Sequence, residues 1–142
     1  MKKHLLILAS LVFGIGQLFA ETVTFSFSEL SASLPEGSKF VNVPYTWTVS
    51  PGHVSATIAK LDGTEGTMNI GAKQNLKGYK LTVTVAGEKG ELNEVNFTGT
   101  SQTFGNVTVN TGTYTSGTWV SSEGTNSITF TNNNSNYVVQ TF

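Results

Sequence analysis

The chain contains no cysteine and no arginine, and only 12% of its 142 residues are charged. The absence of cysteine excludes disulfides, thiol nucleophiles and cysteine-ligated zinc. Without a basic patch the chain lacks the cations that neutralise phosphate groups, so nucleic acid is excluded as a partner. Its polar surface must come from threonine, serine, asparagine and glycine, a composition that suits exported all-β modules.

Residues 1–20 have the organisation of a secretory signal peptide. Lys2 and Lys3 precede an apolar run over residues 5–13, and the small residue Ala20 stands before Glu21. The alternative is an N-terminal membrane anchor, but the run is shorter than the ~20 residues that a span needs. We therefore predict a protein that is secreted or held at the cell surface, with no transmembrane span once the leader is removed.

The expected mature chain is a single domain of residues 21–142. Loss of the leader removes two lysines and leaves six lysines against nine acidic residues, a net charge of −3. A domain of this size buries roughly two thirds of the surface of its unfolded chain, which is sufficient without disulfides or metals.

Apolar and polar residues alternate along most of the chain, and no segment shows a helical period. This pattern predicts eight to ten short strands in an all-β fold, a single antiparallel β-sandwich that is jelly-roll-like. The clearest strands are residues 22–28, 45–49, 54–58, 79–85, 92–98, 107–109 and 128–130, with a short edge strand at 39–41 and a last strand, apolar on both faces, at 137–142. The predicted core comprises Phe25, Phe27, Trp47, Tyr79, Leu81, Val83, Phe97 and Phe130.

The stretch from residue 107 to 131 contains two aromatic residues in matching tripeptides, Gly112-Thr113-Tyr114 and Gly117-Thr118-Trp119. Five positions apart, Tyr114 and Trp119 would face opposite sides of a regular strand, so one ring is expected at the surface. Gly117 is a candidate β-bulge, a core position is favoured for Trp119, and Tyr114 is the better candidate for an exposed ring. Flat aromatic rings beside amide groups suit sugar rings, so we predict a ligand site of Tyr114 and Trp119 with Asn110 and Asn132.

Residues 79–142 also resemble the C-terminal half of small β-sandwich modules secreted by Gram-negative gut anaerobes. The resemblance is carried by YKLTVTVAGEKGELNEVNFTG and NVTVNTGTYTSGTWVSSEGTNSITFTN, in particular by Gly112, Tyr114, Gly117, Trp119, Ser127, Phe130 and Asn132. These modules are carbohydrate-binding-like jelly rolls. The resemblance implies a fold and an extracellular location, and no particular ligand.

Catalysis and metal binding have little support in the sequence. His53 is the single histidine of residues 21–142 and lies in a Pro-Gly turn. Glu88, Glu91 and Glu94 offer carboxylates for glycoside hydrolysis but lie in and after a turn. Asp62 and Glu65 are open to two interpretations, a calcium site or a plain turn, and the turn is favoured. We predict no enzyme activity, no cofactor and no metal.

Two functions remain. The first is a non-catalytic module that binds glycans or mediates adhesion at a surface, with a glycan or a surface protein as partner. The alternative is a structural or assembly module that makes protein–protein or strand-to-strand contacts. A glycan site requires a solvent-facing aromatic ring among polar groups, whereas assembly requires an exposed strand edge or an apolar patch. Residues 39–41 and the last strand are the places to look for such an edge.

Overall fold

A computed structural model describes residues 21–36, 38–87, 90–99, 107–133, 136 and 138–142. The predicted signal peptide lies outside these residues. The described chain is all-β apart from one short helix, and its strands pair antiparallel throughout. The prediction of an all-β, sandwich-like fold is confirmed.

The helix α1 comprises Phe27–Ser33. Twelve strands are described: β1 Phe40–Val43, β2 Tyr45–Val49, β3 Val54–Lys60, β4 Gly66–Asn69, β5 Gln74–Asn75, β6 Tyr79–Val85, β7 Leu92–Asn96, β8 Val107–Val109, β9 Thr113–Thr115, β10 Thr118–Thr125, β11 Ser127–Asn132 and β12 Val138–Val139. β2 and β3, near the strands predicted at residues 45–49 and 54–58, form a hairpin, and β6 begins and ends where the alternation predicted.

The larger layer is a five-stranded sheet in the order β2-β3-β6-β11-β8. Its two faces differ because alternate side chains point to opposite sides of a strand. The inner face carries buried apolar residues such as Ile58, Leu81 and Phe130. The outer face carries rows of hydroxyls, in which Thr46 pairs with Thr57 at 2.7 Å and Thr82 with Thr129 at 2.9 Å.

The second layer is a three-stranded sheet in the order β7-β10-β9. Aromatic side chains join it to the larger sheet. Phe97, next to β7, contacts Phe130 edge to face at a centroid distance of 4.7 Å, and Trp119 of β10 contacts the same ring at 6.4 Å. The core lies between these two layers, and all the residues predicted for it are buried except Tyr79, which is half-buried.

The strand predicted at residues 22–28 is wrong, because no strand is assigned there and the helix begins at Phe27. Phe25 exchanges two main-chain hydrogen bonds with Phe142, of 2.8 and 3.1 Å, and Ser26 bridges Thr141. The chain then turns into α1, because the Ser26 side chain accepts the Glu29 amide and caps the helix. Phe25 and Phe27 are buried as predicted, although Phe27 lies in the helix rather than in a strand.

Only Val138–Val139 of the last strand predicted at residues 137–142 forms a described strand, and the chain after it pairs along both of its edges. Thr141 lies between Ser26 on one side and Thr98 on the other, and its hydroxyl pairs with that of Thr98 at 2.6 Å. Two small sheets, β1-β4 and β12-β5, complete the described fold. None of the described helical structure is long and apolar enough to cross a membrane.

Candidate functional site

Tyr114 and Trp119 belong to a tight hairpin rather than to one strand. β9 and β10 are joined by Ser116 and Gly117, which have φ angles of 51° and 90°. Two consecutive positive φ values are typical of a type I′ turn, the usual two-residue hairpin connection. The turn places Tyr114 directly opposite Trp119 in the strand pairing. The two rings therefore share a face, and both the expectation of opposite faces and that of a bulge at Gly117 are wrong.

The shared face of this hairpin is the core face. Trp119 is fully buried, and its Nε1 donates a hydrogen bond of 2.6 Å to the carbonyl oxygen of Thr111. Gly112, with φ at 72°, lies against the indole where a side chain would collide with it. A ring enclosed in this way presents no surface to a ligand. Trp119 is a structural residue here, and its candidate role as a binding platform is corrected.

The other three residues predicted for this site do not form an open platform either. Tyr114 is half-buried and packs edge to face on Phe97 at 6.1 Å and on Phe130 at 5.7 Å. Asn132 is 3% exposed and lies on the inner face of β11. Asn110 is exposed, but its Oδ1 accepts the Thr129 amide at 2.7 Å. Packing and strand pairing thus account for these residues, and of the three only Tyr114, in part, and Asn110 reach solvent.

A groove of about 420 Å³ lies elsewhere, between α1 and the outer edge of β2. Its lining consists of Ser26, Glu29, Leu30, Ser33, Tyr45, Thr46, Trp47, Thr48 and Val49. The groove touches all five consecutive residues of β2, whose side chains alternate between the two faces of the sheet. A groove that contacts side chains from both faces must run along the edge of the strand, not over one face.

The edge position of β2 gives the groove main-chain hydrogen-bonding groups. β2 is the terminal strand of its sheet and pairs only with β3 among the described residues. An edge strand presents unpaired N–H and C=O groups on its outer side. The groove is therefore lined by peptide groups as well as by side chains.

Two aromatic residues of β2 form the apolar part of the groove. Tyr45 is half-buried and stacks against Trp47 at a centroid distance of 6.2 Å and an interplanar angle of 29°. Trp47 is 8% exposed and packs on Phe25 and Phe142, which confirms its predicted place in the core. Its Nε1 donates no hydrogen bond within the described residues. Tyr45 is thus the aromatic ring that a ligand can reach.

The polar side chains of the groove offer both donors and acceptors. Ser26 Oγ accepts a hydrogen bond from the Glu29 amide at 3.4 Å and keeps its own hydrogen to donate, whereas Ser33 Oγ donates to the Leu30 carbonyl oxygen at 2.8 Å and keeps its lone pairs. Thr48 is exposed. Glu29 is the one charged side chain of the nine lining residues.

Asp62, His53 and Glu21 are engaged in local contacts. Asp62 Oδ1 accepts hydrogen bonds from the Thr64 amide at 2.9 Å and from its hydroxyl at 2.8 Å, as expected for a turn. Those bonds lower the pKa of the Asp62 carboxyl. His53 Nε2 lies 3.1 Å from Glu21 Oε2. The described part of the chain brings no three histidine or acidic side chains together into a metal site.

Three further carboxylates, those of Glu88, Glu91 and Glu94, are the candidates for glycoside hydrolysis. Glu88 lies outside the described residues. Glu91 and Glu94 are exposed, and Glu94 accepts a hydrogen bond from the Asn96 side-chain amide. Neither of these two side chains lines the groove between α1 and β2.

Comparison with known proteins gave no match to any protein-family model, curated protein or solved structure. The resemblance to secreted carbohydrate-binding-like modules therefore stays a prediction.

One signal in the sequence predicts α1, the helix that forms one wall of the groove. Ser26-Phe27-Ser28-Glu29 has the Ser-x-x-Glu spacing of a capping box, which marks the start of a helix. The alternation of Phe25 and Phe27 obscures this signal, because both residues fit a strand equally well.

Proposed function

We propose that the chain is an exported, non-catalytic module that binds glycan through the groove between α1 and β2. The observation that carries the proposal is the accessible ring of Tyr45 beside serine and threonine hydroxyls, a carboxylate and the edge of a strand. The groove volume of about 420 Å³ lies within the range of small-ligand sites.

The chemistry of the lining suits a sugar better than an apolar ligand. One face of a sugar ring is made of C–H groups and packs on a flat aromatic side chain. Its hydroxyls both donate and accept, and Ser26 and Ser33 offer the complementary groups. The absence of cysteine and the single histidine of residues 21–142 support a binding role rather than a catalytic one.

The proposal is tested by screening residues 21–142 on a glycan array and measuring hits by calorimetry. Tyr45→Ala should weaken binding about tenfold or more, as for an aromatic contact residue worth at least ~1.4 kcal/mol. Tyr114→Ala is the matched control, because it removes another half-buried tyrosine from outside the groove. Equal losses from the two variants, both folded by circular dichroism, would contradict this site. An array without hits would contradict glycan binding itself.

Assembly through a strand edge is the second candidate function, and a separate observation favours it. β1 pairs only with β4 among the described strands, and Phe40 on β1 is 59% exposed. This edge overlaps the place that the sequence indicated at residues 39–41. An exposed edge with a large apolar side chain is a typical contact for another chain.

The test of assembly is independent of the groove. If β1 mediates self-association, the oligomer measured by sedimentation should dissociate in Phe40→Lys and persist in Tyr45→Ala. A wild-type chain that stays monomeric at high concentration would count against assembly between copies.

A further inference from the structure

The shape and charge of the groove restrict the kind of glycan that it takes. We propose that the ligand is a neutral, linear oligosaccharide bound lengthwise along β2, and that Glu29 disfavours acidic glycans. This inference rests on the proposed function, because it names the ligand class of the same groove.

The lengthwise orientation follows from the lining. The groove follows Tyr45–Val49 from end to end, a strand length of about 16 Å at ~3.3 Å per residue. Its other wall is made by residues 26, 29, 30 and 33, which span the length of the short helix α1. A single sugar ring would occupy only a part of this trough, whereas an extended chain can contact Tyr45 at one end and Val49 at the other.

The selection against acidic ligands follows from the single charge. Glu29 carries a carboxylate, and no lysine is among the nine residues that line the groove. A ligand carboxylate placed about 4 Å from Glu29 in water would lose roughly fivefold in affinity through repulsion. A neutral hydroxyl in the same place donates to the carboxylate and gains a charge-assisted hydrogen bond.

An extended peptide is the competing occupant, since the edge of β2 would also accept a strand. The groove favours the sugar because Glu29, Ser26 and Ser33 place side-chain hydrogen-bonding groups on the wall opposite the strand edge, where the hydroxyls of a sugar can meet them. A peptide that binds while oligosaccharides do not would overturn the inference.

The experiment compares neutral gluco- and xylo-oligosaccharides of one to six units with oligogalacturonates of equal length, using calorimetry at low and high salt. We expect neutral affinity to rise with length, and acidic hexamers to bind at least about fivefold more weakly. Glu29→Gln, which keeps a residue suited to the first turn of α1, should reduce the difference in affinity between neutral and acidic hexamers. Glu123→Gln, a change of an exposed acid outside the groove, should leave it unchanged. High salt should also narrow the gap in the wild type.

The outcomes separate the two levels of the proposal. Acidic hexamers that bind as tightly as neutral ones, or a gap that Glu29→Gln does not change, would overturn the charge selection and leave glycan binding intact. Monosaccharides that bind as tightly as hexamers would overturn the lengthwise orientation. If the wild type bound no carbohydrate of either kind, the proposed function and this inference would both fail.

Discussion

Gly112 is the position where a single added methyl group tests how Trp119 is held. A Cβ at Gly112 would lie 2.6 Å from the Val120 carbonyl oxygen, 2.7 Å from Trp119 Cε2 and closer still to the indole nitrogen. Real Cβ atoms do not approach other atoms so closely. Gly112→Ala must therefore displace the buried indole or the β10 main chain, in addition to straining its own φ of 72°.

Gly63 provides a control with the same backbone strain and no collision. Its φ is 74°, and a Cβ there would meet nothing within 4 Å. Placing alanine in the left-handed region costs roughly 1–2 kcal/mol, and this cost applies to both glycines. Overpacking a close-packed interior adds about 1–3 kcal/mol, and this cost applies to Gly112 alone. We expect losses of about 1–2 kcal/mol for Gly63→Ala and about 2–5 kcal/mol for Gly112→Ala.

Urea unfolding of residues 21–142 measures both variants against the wild type, with tryptophan fluorescence as the probe. At ~1–3 kcal/mol per molar urea, the difference between them should move the midpoint by about 0.3 M or more. Equal midpoints for Gly112→Ala and Gly63→Ala would refute the close contact between Gly112 and Trp119. The fixed position of the indole would then need another explanation.

Three further predictions follow from the core and its turns. Phe97→Ala should lower the free energy of unfolding by about 3–5 kcal/mol, because it empties a buried aromatic site, and a marginal shift of the urea midpoint would show that its strand has another register. Trp119→Phe should lower the free energy of unfolding by about 1–3 kcal/mol more than Trp47→Phe in the same assay, since of the two indole nitrogens only that of Trp119 has a hydrogen-bond partner among the described residues. Equal losses from the two variants would contradict this role of the hydrogen bond. The lowered pKa of Asp62 stabilises the fold above the unfolded carboxyl pKa near 3.8, and this stabilisation is lost as the pH falls through the folded value. Asp62→Asn should therefore be less stable than the wild type near neutral pH and equally stable in acid. A stability difference between the two proteins that is constant with pH would refute this.

Strict alternation of apolar and polar residues predicted the strands well where one face of the sheet is buried and the other faces solvent. β6 is the clearest case, because its inward residues are Leu81, Val83 and Val85 and its outward residues are Lys80, Thr82 and Thr84. The burial of alternate residues is a direct physical consequence of the pleat. The sequence therefore determines this element without knowledge of its neighbours.

Alternation failed at residues 22–28, where a local interaction overrides the pattern. Ser26 caps a helix, and the buried side of one helical turn accommodates Phe27 as well as a strand would. The position of Ser26 opposite Thr141 also depends on the far end of the chain. A strand pattern of two or three residues cannot distinguish a full strand from a short pairing that leads into a helix.

The predicted ligand site failed because face assignment depends on where a chain reverses. Along one strand, Tyr114 and Trp119 would face opposite sides. The Ser116-Gly117 turn instead places the two residues opposite each other in neighbouring strands, so that both rings lie on the core face. The groove beside Tyr45 was not predictable in the same way. It requires α1 to lie next to β2, and β2 to end its sheet, and both are properties of the topology. Tyr45 and Trp47 share one face of β2 in sequence and in structure. Rings from distant parts of the chain, such as Phe25 and Phe142, enclose Trp47, whereas Tyr45 stays half-buried.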